Sequence, residues 1–174
     1  MRHKGIDLIR CVFEEMVHDG IKFAVLGNGE KIYEDFFTEM AARYPERVSV
    51  NIGFIPELSH RIYAGSDMFL MPSQSEPCGL AQMIAMRYGA VPIVRETGGL
   101  RDSVRDNGGE DGNGYTFKTY NANDMLDAVK RAWNDYNDKN AWSELVKRAM
   151  ECDHSWSASA DTYIRTYKEL LAAE

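Results

Sequence analysis

The chain has 174 residues, 44% of them hydrophobic and 27% charged, which suits one domain with a packed core and excludes a disordered polymer. Its formal charge of -7 excludes the basic footprint of a general nucleic-acid binder, and its scattered basic residues form no polybasic membrane patch. The three cysteines, Cys11, Cys78 and Cys152, are too few and too far apart for a disulfide framework or a structural zinc site, so a reducing cytoplasm is expected.

Two hydrophobic periods alternate along the chain. Ile6, Ile9, Phe13, Met16 and Val17 recur at helical spacing, and Gly20 ends the run. The short apolar run KFAVLG (22–27) reads as a buried strand, and residues 30–44 return to helix with Ile32, Phe36, Phe37 and Met40 on one side. RVSVNIG (47–53) is a second strand, and PELSHRIYAG (56–65) a short helix with proline near its start. DMFLMP (67–72) is a strand cut by Pro72. Residues 79–88 are helical, AVPIV (90–94) is a strand and GYTF (114–117) a last short one. Helices follow at about 121–136, 139–151 and 156–172. DNGGEDGNG (106–114) is polar and glycine-rich, which predicts a mobile surface loop.

Strands alternating with amphipathic helices predict an α/β fold, a Rossmann-like doubly wound parallel sheet covered by helices. Such a domain normally opens on a strand, whereas this chain opens almost at once on a helix, so a further strand upstream is expected. No apolar run reaches membrane-spanning length, no signal-peptide core is present and no HExxH-like spacing occurs, so neither a membrane nor a metal partner is expected.

Ligands of an open α/β sheet bind beyond the carboxyl ends of the strands, which selects the loops at 27–30, 53–56 and 72–79. GNGE (27–30) lacks the third glycine of GxGxxG, so a dinucleotide site is a poor reading and a simple turn a better one. In PSQSEPCGLAQM (72–83), a helix start near Gly79 offers unpaired N–H groups to an anion. Glu76 just before it fits two readings equally: a solvated carboxylate favouring the helix N-terminus, or a contact to sugar hydroxyls and developing positive charge. Thr97, Gly98 and Gly99 form either a second backbone N–H nest or a plain strand-to-helix turn. Cys78 has no neighbouring histidine base, which favours lining or packing over nucleophilic attack.

Taken together, HKGIDL, RVSVNIGF, SHRIYAGSDMFLMPSQSEPCGLAQMIAMRYGAVPIVRETGGLRDSV and DHSWSASADTYIRTYKEL resemble the C-terminal half of bacterial glycogen synthases and plant starch synthases. The likeness runs from Lys4 to the last helix, and EPCGL followed by TGGL is its specific part. The resemblance implies the GT-B arrangement, two Rossmann-like domains across a cleft, with residues 1–174 as a single donor nucleotide-sugar-binding domain on which the C-terminal helices from about 121 pack. The last helix is implied to cross toward an N-terminal domain of the same protein, leaving Tyr163, Ile164, Tyr167 and Leu171 exposed. The implied activity is retaining transfer of glucose from ADP-glucose to the non-reducing end of an α-1,4-glucan, without a cofactor or metal. Implied partners are ADP-glucose or ADP, the glucan acceptor and that N-terminal domain. The implied setting is the bacterial cytoplasm, or a plastid for a plant chain.

Residue by residue, the resemblance makes Lys4 the cation on the donor diphosphate and Glu76 the carboxylate beside glucose. Gly53 and Phe54 match the loop that packs near the adenine, where Phe54 keeps the ring of a frequent tyrosine. Cys78, Gly79, Leu80 and Ala81 match the lining of the sugar and phosphates, with Thr97 on the loop behind. Ala81 lacks the hydroxyl that many members carry, and Glu96 replaces a frequent basic residue. Ile84 stands where related sucrose- and mannose-transfer enzymes carry a second glutamate, which favours the glycogen synthase branch. A transferase using UDP-sugars and a non-catalytic nucleotide- or glucan-binding module are the alternatives.

Overall fold

The computed structural model describes residues 2–109 and 111–172; Met1, Glu110, Ala173 and Glu174 lie outside it, and Glu110 belongs to the loop predicted at 106–114. The first periodic run forms α1 (Ile6–His18), which buries Leu8, Ile9, Val12, Phe13, Met16 and Val17 along one stripe. A short 3-10 turn (Arg2–Lys4), not foreseen from the pattern, precedes it. Then come β1 (Phe23–Gly27), α2 (Lys31–Arg43), β2 (Val48–Ile52), α3 (Pro56–Gly65) and β3 (Met68–Met71). The chain continues through α4 (Ala81–Arg87), β4 (Val91–Arg95), α5 (Gly98–Ser103), β5 (Tyr115–Phe117), α6 (Ala122–Tyr136), α7 (Lys139–Met150) and α8 (Trp156–Ala172).

All strand pairs are parallel, as the alternation predicts, but they make two ladders: β1–β2 and β3–β4–β5. In the doubly wound strand order 3-2-1-4-5-6, β1 and β2 fit the second and third places and β3 to β5 the fourth to sixth. Among the described residues no strand takes the first place. One core spans both ladders, because the stripe of α1 packs with Phe23, Val25 and Val48 on one side and with Val91, Ile93 and Tyr115 on the other.

Val91 to Val94 of β4 are all buried, which explains its continuous apolar run. Pro92 is tolerated there. Val91 N–H bonds to Asp67 O on the β3 side, so Pro92 turns its nitrogen to the β5 side, ahead of where that ladder begins at Ile93.

The structure refines several expectations. The helix predicted at 79–88 begins later, at Ala81, and the strand-to-helix turn considered at Thr97 opens the short helix α5 within TGGL, at Gly98. The 106–114 loop is pinned at both ends. Asp106 accepts from the Thr116 and Gly108 N–H groups and from Arg131, while Asn113 is buried and donates to Ser103 O. Finally, α6 and α7 pack into the core through residues such as Met125 and Leu145, but α8 buries none of its residues. Its apolar side chains Tyr163, Ile164, Tyr167 and Leu171 are exposed, as predicted, so α8 does not share in the packing expected of the C-terminal helices. No helix among the described residues is long and apolar enough to cross a membrane.

Candidate active site

The carboxyl ends of β3 and β4 build the centre of the site. After Met71 the chain turns at Pro72 and passes through Ser73 to Glu76 before entering α4. The Glu76 side chain is only 11% exposed, and its Oε2 accepts from Lys4 Nζ at 2.5 Å and from Ser73 Oγ at 3.2 Å. Lys4, 72 positions away in sequence, is delivered by the turn that precedes α1. That turn is fixed to the loop twice. Gln74 N–H donates to His3 O at 2.7 Å, and Gly5, at φ 75°, lies so close to the Pro72 carbonyl that any β-carbon would overlap it. The two residues that the resemblance assigns to catalysis are therefore brought into contact.

A second layer holds this loop from behind. The α5 N-terminus is pressed against it: β-carbons on Gly98 and Gly99 would overlap the carbonyls of Glu76 and Cys78. Gly99 N–H donates to Glu76 O and Pro77 O, both at 3.1 Å. Gly99 is thus spent on holding the loop, which favours the structural reading of TGGL over an anion nest. Thr97 caps α5 in an extended conformation without a side-chain bond, and its N–H donates to Arg95 O at 2.8 Å. Gln82 is fully buried in the first turn of α4 and donates to Gly79 O at 2.9 Å and to Ser103 Oγ at 3.1 Å.

Beyond that layer the lining is open. Cys78 is a free, exposed thiol, and Leu80 is 68% exposed at the N-cap of α4. Ala81 is the first residue of α4, whose first-turn N–H groups have no intrahelical acceptor. Gly53 and Phe54 lie apart, at the carboxyl end of β2 in the other ladder. Gly53 N–H closes on Gly27 O at 2.9 Å, and the Phe54 ring stands 87% exposed. They share the edge with Glu76 but not its hydrogen-bond network. At the neighbouring glycine pair, Gly29 N–H is taken by Glu34 Oε1 at 2.8 Å, as a plain turn requires.

Sequence reasoning missed the side chains that organise the loop, Ser73, Gln82 and Arg95. Arg95 ends β4 and donates to Ser73 O at 2.9 Å, to Gln74 O and to Lys118 O at 3.3 Å. Its guanidinium also lies over the Tyr120 ring, 5.8 Å from the centroid. Tyr120 in turn donates to Asp7 Oδ1 at 2.6 Å, and burial together with that carboxylate raises its hydroxyl pKa. The signal available was an arginine at the exit of an otherwise apolar strand. The nearby acidic residue Glu96 accepts from Thr116 Oγ1 at 2.8 Å, and among the described residues the side-chain partners of the Glu76 carboxylate are Lys4 and Ser73. Among the described residues, no three His, Cys, Asp or Glu side chains converge as around a metal ion.

Residues 1–149 match the family described as Glycosyl transferases group 1. The chain is 53% identical over 173 residues to a glycogen synthase of Anoxybacillus flavithermus and 52% identical over 172 residues to one of Bacillus cereus. In each case the match covers 98% of this chain and 36% of the relative, so the chain spans about a third of the length of these relatives. The fold also matches the catalytic domain of starch synthase IV from Arabidopsis thaliana, solved bound to ADP and acarbose. That match has a TM-score of 0.83 and 38% identity, and covers 97% of this chain and 36% of that one.

Proposed function

The chain belongs to the glycosyl transferases group 1, and we propose that it is the donor-binding part of a retaining glucosyltransferase, one that moves glucose from ADP-glucose to the non-reducing end of an α-1,4-glucan. The observation that carries this reading is the Lys4–Glu76 pair, held at the carboxyl edge of β3 beside the start of α4. The ADP and acarbose in the starch synthase IV structure support the same ligand classes here.

Cleavage of a sugar–phosphate bond places positive charge on the sugar ring and negative charge on the leaving diphosphate, and catalysis rests on stabilising both. Lys4 is 42% exposed, so its ammonium group is free to turn from Glu76 toward a diphosphate. The first-turn N–H groups of α4 add to the field on that diphosphate. Glu76, released from Lys4, faces the sugar and balances its cationic character. With no second carboxylate bonded into this network among the described residues, a glycosidase-like pair of acid and nucleophile has no support here. The departing phosphate is then the base for the attacking glucan hydroxyl. Phe54 offers its exposed ring to the base, and Cys78, Gly79, Leu80, Ala81 and Thr97 line the sugar and phosphates. The acceptor surface and a facing domain belong to the rest of a longer enzyme of this kind.

Calorimetry of this chain with ADP-glucose, ADP, UDP-glucose and NAD tests the reading. Binding and not turnover is the readout, because the chain spans about a third of its relatives' length. ADP and ADP-glucose are expected to bind weakly, with UDP-glucose weaker. Preference for UDP-glucose supports the UDP-sugar alternative, and binding of NAD alone or of no nucleotide contradicts the donor-site assignment.

A further inference from the structure

We propose that Arg95 is the positioning residue that sets Glu76 against Lys4. The proposal deepens the donor-site reading and takes its chemical meaning from it. Arg95 is half-buried at the last position of β4, whose other four residues are buried. Its planar fork has five N–H donors at fixed angles. Nε bonds to Ser73 O at 2.9 Å, one terminal nitrogen to Gln74 O and the other to Lys118 O at 3.3 Å. Ser73 and Gln74 lead directly into Glu76, and Ser73 itself donates to the Glu76 carboxylate.

The other face of the guanidinium lies over Tyr120, whose hydroxyl anchors Asp7 at the start of α1. Asp7 lies three residues past Lys4, and the turn that carries Lys4 is tied to the same loop through Gln74 N–H and His3 O. One side chain thus reaches the supports of both charged partners. Arg95 touches neither the Glu76 carboxylate nor the Lys4 ammonium, so it acts through backbone placement. A lysine would keep the charge but not the fork, since a single ammonium on a flexible stem cannot hold three carbonyls in one plane.

The test compares the wild-type chain with Arg95→Ala and Arg95→Lys by amide hydrogen exchange and by calorimetry with ADP and ADP-glucose. Exchange at Gln74 and Gly99, the amides that tie the loop to its neighbours, is expected to accelerate about tenfold or more in both variants, while Val94 and Ile93 in β4 hold their protection. The ADP-glucose to ADP affinity ratio is expected to fall about fivefold or more, with ADP affinity nearly unchanged. Unchanged exchange at Gln74 and Gly99 overturns the proposal. Equal acceleration throughout β4 also overturns it, because Arg95 would then support only the fold. Full rescue by Arg95→Lys overturns the role of the fork. If the exchange pattern appears but the wild-type chain binds neither nucleotide, the positioning stands and the donor-site reading fails.

Discussion

The carboxyl edges of the two ladders differ in how far they are finished. On the β3–β4–β5 side, the loops at 72–80, 95–99 and 118–120 are stitched to one another and to the turn before α1 by Arg95, Gln82, Gly99 and the Lys4–Glu76 pair. On the β1–β2 side, the edge presents Gly53 and the bare ring of Phe54, with the strands beneath only partly buried. On the proposed donor-site reading, sugar and diphosphate chemistry needs charges fixed where a transition state will develop them, which fits a preorganised side. A stacking contact to a base needs only an accessible apolar face, so the other side can stay open.

The largest test of the contrast is in the strands. Ile93→Ala, at 1% exposure, is expected to cost about 2–5 kcal/mol in urea unfolding. Ile52→Ala, at 44% exposure in β2, is expected to cost about 0.5 kcal/mol. Equal costs would erase the difference between the ladders. Next in size is the ring: Phe54→Ala should weaken ADP binding by about 1–3 kcal/mol in calorimetry while leaving the melting temperature unchanged. A clear drop in melting temperature would show that the ring packs rather than waits.

Glu76→Gln sharpens the comparison from the preorganised side. It frees Lys4 for phosphate, so ADP should bind up to about fivefold more tightly. The extra affinity of ADP-glucose over ADP should disappear. Weaker ADP binding would mean that the carboxylate contacts the nucleotide itself.

The smallest effect concerns Asp106, which staples the loop before β5. Burial works to raise its pKa, but the Thr116 and Gly108 N–H groups and Arg131 outweigh it and hold the carboxyl below the ordinary range. With the folded pKa depressed, its stabilisation is present above the unfolded value of about 3.9 and is lost as pH falls through the lower folded one. Asp106→Asn should therefore flatten the acid limb of a stability–pH profile below about pH 4, and an identical limb would contradict the assignment.

The strands and helices were legible because burial imposes its period on the sequence: AVPIV (90–94) read as a strand, and Ile6, Ile9, Phe13, Met16 and Val17 as a helix stripe. The resemblance placed Lys4 and Glu76 in one site, but their contact was not legible, since residues 72 positions apart carry no local trace of it. Arg95 escaped because its partners are backbone carbonyls, which every residue type presents alike. At Gly98 and Gly99 the sequence left a backbone N–H nest and a strand-to-helix turn open, and did not show that their missing side chains are what admit the neighbouring loop. The anchors of the 106–114 loop were not legible: Gly112 and Gly114 are buried, and Asp106 and Asn113 hold its ends.

The central claim, that the stitched edge takes the sugar and phosphates while the open edge takes the base, is tested most directly by amide shifts of the chain with ADP and then ADP-glucose. ADP should perturb Gly53, Phe54 and Gly79, and the added glucose should move only residues of the 73–79 loop and their Gly99 support. Glucose-dependent shifts at Gly53 and Phe54, with the 73–79 loop unmoved, would contradict it.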